Sequence, residues 1–255
     1  MRRAQAMLVK RLMILLPVLN EAEGLDIVLR TIPSESLIEL GWEPNIVIVD
    51  GKSTDDSQQI AIDAGCTVLV QPSRGKGEAV RVGFDYAVKN HFDAVVMFDA
   101  DLTYDPLDML PMLQQLEPES VVVGNRLSHS LAQDAMSPVN WIGNHLLTWS
   151  AVILHGTEIH DVCSGYWLFD RKALMRMNLN SMDFEIEAEM YAQCAISGIS
   201  LINIPISYGA RIGEAKLGSL RDGSSILRKL VVRKLFPRPV EEELGKGKLA
   251  FESNQ

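Results

Sequence analysis

A chain of 255 residues fits one large domain, or a domain with a short annex, and is long enough to bury a sizeable core. Its net charge of −9 argues against nucleic acid as a partner, because neutralising phosphates calls for an excess of Lys and Arg; any basic patch must be local. Cys66, Cys163 and Cys194 are odd in number and widely spaced, with no Cys-x-x-Cys pair, which excludes a disulfide framework or zinc module and reads as reduced thiols of a cytosolic protein.

Arg2 and Arg3 ahead of an apolar stretch at residues 12–19 have the outline of a secretory signal. The run is short, however, no small-x-small cleavage site follows, and the same residues serve as a first buried strand, so export is not expected. Apolar runs at residues 13–16, 45–49, 67–70, 94–98 and 121–123 each read as a buried strand. Helical patterns lie between them. Asn20 with Glu23 makes a capping box for one, Thr54 starts another that Gly65 ends, and Val80, Gly83, Phe84 and Ala87 form the stripe of a third. Strands alternating with helices imply the α/β class, a mostly parallel central sheet with helices on both faces, whose ligands bind beyond the carboxyl ends of the strands.

Asn20-Glu21, Asp50 and Asp99-Ala100-Asp101 stand at three such ends. The run Val95-Val96-Met97-Phe98 stops at Asp99 and Asp101, whose i, i+2 spacing puts both carboxylates on one side of an extended chain. Such a pair suits a hard divalent cation, with substrate phosphates and water filling the other positions. A bare Asp-x-Asp is a weak signal, and the same acids would serve to cap a helix starting near Pro106. Their convergence with Glu21 and Asp50 on one crevice is what favours a site. The first strand lacks the Gly-x-Gly-x-x-Gly turn of dinucleotide-binding folds, which argues against a nicotinamide dehydrogenase. Gly75-Lys76-Gly77 lacks the phosphate-loop pattern; a flexible turn explains its glycines as well as a phosphate contact from Lys76 does.

In the second half, residues 140–154 read as a largely apolar helix, interrupted by Asn144, His145, Thr148 and Ser150 and short of the roughly 18 apolar residues of a membrane span. Residues 161–166 read as a turn into a short strand at 167–169. Glu185, Glu187 and Glu189 open a helix whose N-terminal dipole suits acids on a solvated face. His145, His155 and His160 share no metal-ligand spacing and read as structural or solvated. Arg221, Arg228, Lys229, Arg233, Lys234 and Arg238 face the single acid Asp222 and interleave with Ile226, Leu227, Leu230, Val231, Val232, Leu235 and Phe236. That mixture suits attachment to an anionic bilayer, each basic residue near the surface contributing roughly 1 kcal/mol. It suits a packed terminal helix or subunit contact equally, since Lys234 and Arg228 do not share a clean face with Lys229 and Arg233. Pro237 and Pro239 end this helix, and residues from 241 onward read as a loose polar tail.

Taken in order, Leu16-Pro17-Val18-Leu19-Asn20-Glu21, Val49-Asp50-Gly51-Lys52-Ser53-Thr54-Asp55, Asp99-Ala100-Asp101-Leu102-Thr103, Gly124-Asn125-Arg126 and Asp161-Val162-Cys163-Ser164-Gly165-Tyr166 resemble the motifs of family 2 glycosyltransferases with the GT-A nucleotide-diphospho-sugar transferase fold. Within them the chain is most similar to the dolichol-phosphate mannose and glucose synthases, over about residues 12–223. The resemblance implies one GT-A domain at 1–223, with a nucleotide-sugar half at about 1–125 and an acceptor half at about 126–223, followed by the basic-apolar helix and polar tail at 224–255. It implies that Pro17, Leu19 and Glu21 hold the nucleoside and that Asp50 meets the base. Asp99 and Asp101 would hold Mg²⁺ or Mn²⁺ against the diphosphate, Arg126 would lie on the acceptor side, and Arg211 and Lys216 would grip phosphates. Asp101, Arg211 and Lys216 are then the groups expected to act in catalysis. Gly51 stands where a second acid often follows Asp50, and Thr103 where mannose synthases often carry a Gln metal ligand, so the nucleotide and the third protein ligand stay open.

The implied activity is inverting transfer of a hexose from a UDP- or GDP-hexose to a polyprenyl (dolichyl) phosphate, peripheral at the cytoplasmic face of the membrane, for a glycan or N-glycosylation precursor. Whether the chain forms a homo-oligomer stays open. A phosphate acceptor is already ionised near neutral pH and needs no general base, whereas a hydroxyl acceptor would need one, from Glu185 or Asp161. Two other readings stand beside it: a transferase of the same fold acting on a soluble acceptor such as a glycerate phosphate, and a non-catalytic nucleotide-sugar-binding subunit.

Overall fold

The computed structural model describes residues 9–128, 135–211 and 219–238. The chain runs through β1 (Lys10–Val18), α1 (Ala22–Thr31), α2 (Ser34–Glu39), β2 (Trp42–Asp50), α3 (Ser57–Asp63), β3 (Thr67–Val70), α4 (Lys76–Lys89), β4 (Ala94–Met97), α5 (Met109–Gln114) and β5 (Ser120–Asn125). It continues through α6 (Pro138–His155), β6 (Trp167–Asp170), α7 (Arg171–Met175), α8 (Ile186–Ser197), β7 (Ser200–Pro205) and α9 (Ser219–Leu235).

The seven strands form one sheet in the order β3-β2-β1-β4-β6-β5-β7. β6 is antiparallel to β4 and to β5; every other pairing is parallel. Successive side chains of a strand point to opposite faces, so each central strand feeds two cores. Met13, Leu15, Val47, Val49, Val95 and Met97 face one cluster, closed by apolar residues of α4, α6, α7, α8 and α9. Leu12, Ile14, Leu16, Ile48 and Val96 face the other, under α1, α2, α3 and α5. Burial on both faces is why these strands read as continuous apolar runs. The expected α/β sheet is therefore present, with β7 as a strand that the apolar-run reading did not include.

The loops differ locally from expectation. Asn20 makes no capping box with Glu23; its side-chain oxygen accepts from the Thr54 N–H at 2.7 Å, tying the loop after β1 to the loop after β2. α3 begins at Ser57, not Thr54, because the Asp55 carboxylate takes the N–H groups of both Ala22 and Ser57 and holds residues 54–56 outside the helix. α6 is delimited as sequence rules require: Ser137 accepts from the Asn140 N–H, Pro138 occupies the first turn and Gly156 closes the helix at φ +74°.

Candidate active site

β4 ends at Met97 in the middle of the sheet, and the chain turns out at Asp99 and Asp101. The turn is held open by local bonds: the N–H and hydroxyl of Thr103 both donate to Asp101 Oδ1, at 3.1 and 2.5 Å. Leu102 between them adopts φ +66°, a region costly for a side chain of its size. Asn20 and Lys52, in the loops after β1 and β2, are also left-handed, at +51° and +67°. Three of the five left-handed non-glycine residues among those described thus stand at strand ends around one crevice. Asp105, not Asp99 or Asp101, caps the turn at Pro106–Asp108, accepting from the Leu107 N–H.

Both acids of the pair have cationic partners. Arg211 meets Asp101 Oδ2 at 2.9 Å, and is positioned there because the Gly209 N–H donates to the Thr103 carbonyl and Tyr208 pairs with Tyr104. Lys76 bridges Asp99 Oδ1, at 2.6 Å, and Glu187 Oε1, at 2.8 Å. Burial pulls the Lys76 pKa down, but the two facing carboxylates outweigh it and hold the ammonium well above ordinary lysine. Burial raises the Glu187 carboxyl, against the opposing pull of Lys76. Arg211 is likewise held above its ordinary value; burial lowers it, and Asp101 and Asp99 reverse the sign.

Lys76 owes its place to two glycines. Gly75 has φ +113°, and a Cβ on it would run into the Met182 carbonyl; a Cβ on Gly77 would stand 2.5 Å from the Ser181 carbonyl. The pair lets the start of α4 press against residues 181–182, ahead of α8, bringing Lys76 to Glu187. The expected flexible turn is in fact the close-packed first turn of a 14-residue helix. Glu187 and Glu189 correct the solvated-face reading: they are 6% and 0% exposed, claimed by cations on opposite sides of α8, Lys76 and Arg233. No local signal separates an acid at a helix N-terminus that faces solvent from one that meets a lysine 111 positions earlier.

A cavity of about 300 Å³ opens over this cluster. Pro17, Leu19, Glu21, Asp99, Asp101 and Arg211, all named from the sequence, line it, together with Lys76, Gln71, Arg74 and Asp183. Asp50 lies beneath its wall; fully buried, it accepts from the Lys52 and Ser53 N–H groups and from Gln58 Nε2 at 2.7 Å, and the neighbouring Gly51 is what lines the cavity. Arg126 is also buried, its guanidinium forked on Asp161 at 2.6 and 2.9 Å and lying over the Tyr208 ring. Asp161 also accepts from the Cys163 N–H, which fixes the turn into β6, so this acid is committed to Arg126 and is not placed to serve as a base. Burial pushes the Cys163 thiol beside it up to about 12. Lys216 lies outside the described residues.

The arrangement fits a hard divalent cation. Two carboxylates from one strand end reach the cavity, and among the described residues no set of three His, Cys, Asp or Glu is grouped closely enough to hold a metal, so further oxygens fall to a phosphorylated ligand and water. The flanking Lys76, Arg74 and Arg211 add positive charge to the same wall, as a diphosphate requires.

A mostly parallel sheet with an acid pair at its central strand end and one reversed strand beyond it is the GT-A glycosyltransferase fold. It superimposes on glucosyl-3-phosphoglycerate synthase from Mycobacterium tuberculosis in complex with phosphoglyceric acid, with a TM-score of 0.70 at 18% identity, covering 90% of this chain and 81% of the other. The same enzyme in complex with Mn²⁺, UDP and glucosyl-3-phosphoglycerate gives a TM-score of 0.67 at 17% identity, covering 90% and 81%. The glycosyl transferase family 2 model matches residues 13–177, and the chain belongs to that family; it is a glycosyltransferase. Among its relatives, glycosyltransferase AglJ of Haloferax volcanii is 35% identical over 232 residues, 89% of this chain and 73% of its own. The dolichyl-phosphate hexose transferase of the same organism is 30% identical, over 73% of this chain and 79% of its own.

Proposed function

We propose that this glycosyltransferase moves a hexose from a nucleoside-diphosphate sugar to a polyprenyl phosphate of the dolichyl type, working as a peripheral protein at a membrane surface. The observation that carries the reading is the joining of Asp99, Asp101, Lys76 and Arg211 over one cavity, a set suited to a metal-bound diphosphate. Relatives named for dolichyl-phosphate hexose transfer and undecaprenyl-phosphate mannosyl transfer support the lipid phosphate as acceptor. Among the described residues no helix is long and apolar enough to cross a membrane.

In this reading Pro17, Leu19 and Glu21 border the nucleoside end of the cavity, while Asp50 shapes that wall from behind by holding the Lys52 and Ser53 backbone. Asp99 and Asp101 would hold Mg²⁺ or Mn²⁺. Bound there, the cation supplies charge to the departing diphosphate. Arg211 and Lys76 add to that charge from fixed positions, stabilising it most where it develops. Arg126 braces the acceptor side through Asp161, leaving the incoming phosphate oxygen to attack the anomeric carbon opposite the leaving group. A phosphate acceptor needs no base, in keeping with the commitment of Asp161 to Arg126.

The test is transfer from UDP-glucose and GDP-mannose to dolichyl phosphate and, in parallel, to 3-phosphoglycerate, with and without EDTA. Asp101→Asn is expected to abolish transfer to the lipid and to weaken nucleotide-sugar binding only when Mg²⁺ or Mn²⁺ is present. Full activity in EDTA would remove the metal assignment, and glycosylation of the glycerate phosphate alone would replace the acceptor.

A further inference from the structure

We infer that the outward face of α6, with the exposed side of α9 beside it, is the surface on which this protein settles against an anionic lipid bilayer; the inference rests on the lipid-phosphate reading above. α6 carries no Asp, Glu, Lys or Arg in its 18 residues. Val139, Ile142, Leu146, Trp149 and Ile153 recur at intervals of three and four, one stripe about 21 Å long at the helical rise of 1.5 Å. They are 53% to 76% exposed. Single exposed apolar residues are ordinary, but a continuous row of five that includes a tryptophan marks a contact surface.

α9 extends the surface. It packs against both α6 and α8, turning Ile226, Leu230 and Arg233 inward and leaving Val231 and Leu235, with Phe236 just after the helix, exposed. The basic residues divide in the same way. Arg233 is buried on Glu189, and Lys229 reaches Asn180 Oδ1 at 3.3 Å, so neither serves an outer face. Arg228, Lys234 and Arg238 are exposed, and the one acid on either helix, Asp222, is half-buried at the start of α9.

That charge pattern selects the occupant. A second copy docked through a two-fold axis would bring two copies of the same cation-bearing patch together, and α6 and α9 offer only the half-buried Asp222 as an acid to face them. An anionic bilayer accepts both features at once, the apolar stripe at the acyl boundary and the cations among the head groups, with Trp141 and Trp149 at the level where indole rings concentrate. The placement also serves the chemistry. Thr148 Oγ1, on the inner side of α6, accepts from the Val162 N–H at 3.1 Å, in the loop that carries Asp161 and brings Gly165 against Asp99.

Flotation with vesicles of phosphatidylglycerol and phosphatidylcholine, against phosphatidylcholine alone, tests this. The protein is expected to float with the anionic vesicles and far less with the neutral ones. Trp149→Glu with Ile153→Glu should lower the partition about tenfold or more, and Lys234→Ser with Arg238→Ser should lower it and flatten its salt dependence. The altered side chains are exposed, so melting temperature and transfer to a short, water-soluble prenyl phosphate should stay at the parent's values; if the double α6 variant melts lower, Leu146→Glu is the second probe. Unchanged flotation of the α6 variants, or a parent that does not float, overturns the docking surface even where the soluble prenyl phosphate is glycosylated. A parent dimer that these changes dissociate, without vesicle binding, gives the face to a second copy and overturns it too. Failure of the parent on every prenyl phosphate is a separate result, which removes the acceptor reading itself.

Discussion

Arg211 and Asp101 make a contact whose two halves differ in exposure: the carboxylate is 2% exposed and the guanidinium 24%, open to the cavity. Such an arginine can exchange a carboxylate oxygen for a phosphate oxygen without leaving its place. Arg211→Ala is therefore expected to lower turnover by one to several powers of ten, roughly 2–4 kcal/mol if it meets charge mainly in the transition state, with a smaller change in KM. Unchanged steady-state kinetics would put Arg211 outside the reaction. The acids of this site were legible in the sequence because each ends a buried apolar run, and strand ends in a parallel sheet point to one crevice. The cations were less so. Lys76 sits in a glycine-flanked turn that carries no phosphate-loop pattern, and only contact with Glu187 fixes it. Asp50 is named from the sequence as the acid that meets the base, yet its carboxylate spends its bonds on the loop behind the cavity.

Among the helices, α9 shows most plainly what a linear reading loses. Its five basic residues with Asp222 as the lone acid suit a bilayer surface or a packed helix equally well as a sequence, but in the fold Glu189, buried in α8, draws Arg233 inward, and Asn180 Oδ1 takes Arg233 as well, at 2.7 Å. Glu189 Oε2 also accepts the Asn180 and Ser181 N–H groups, so the clamp fixes the segment packed against Gly77. Breaking a buried pair by deleting one partner leaves the other charge stranded. Arg233→Met should cost about 3–5 kcal/mol in chemical denaturation, whereas Lys234→Met, on the exposed side, should fall within about 0.5 kcal/mol. Equal effects of the two would deny the clamp. The exposed stripe of α6 was legible only in part: from sequence the helix reads as largely apolar, and which portion of it remains uncovered is decided by where α8 and α9 pack against it.

The whole molecule is one sheet shared by the two halves that the motifs suggested. β4, which carries Asp99, pairs on one side with β1 and on the other with β6, whose sequence comes after α6. A fragment ending at residue 125 would keep the nucleotide-side strands but lose β6 and β7, exposing Val95, Val121 and Val123 along unpaired edges. Such a fragment is expected to show no cooperative melt and to aggregate, where the full chain melts in a single transition; a sharp transition in the fragment would show that its half folds alone. The same pairing sets an order of events at the ribosome. At about 5–20 residues per second, the interval between emergence of Met97 and of Trp167 is about 4–14 seconds. Throughout it β4, which leads into Asp99, is a sheet edge without β6, an aggregation-prone interval that falls after one half of the candidate site has been made and before the other.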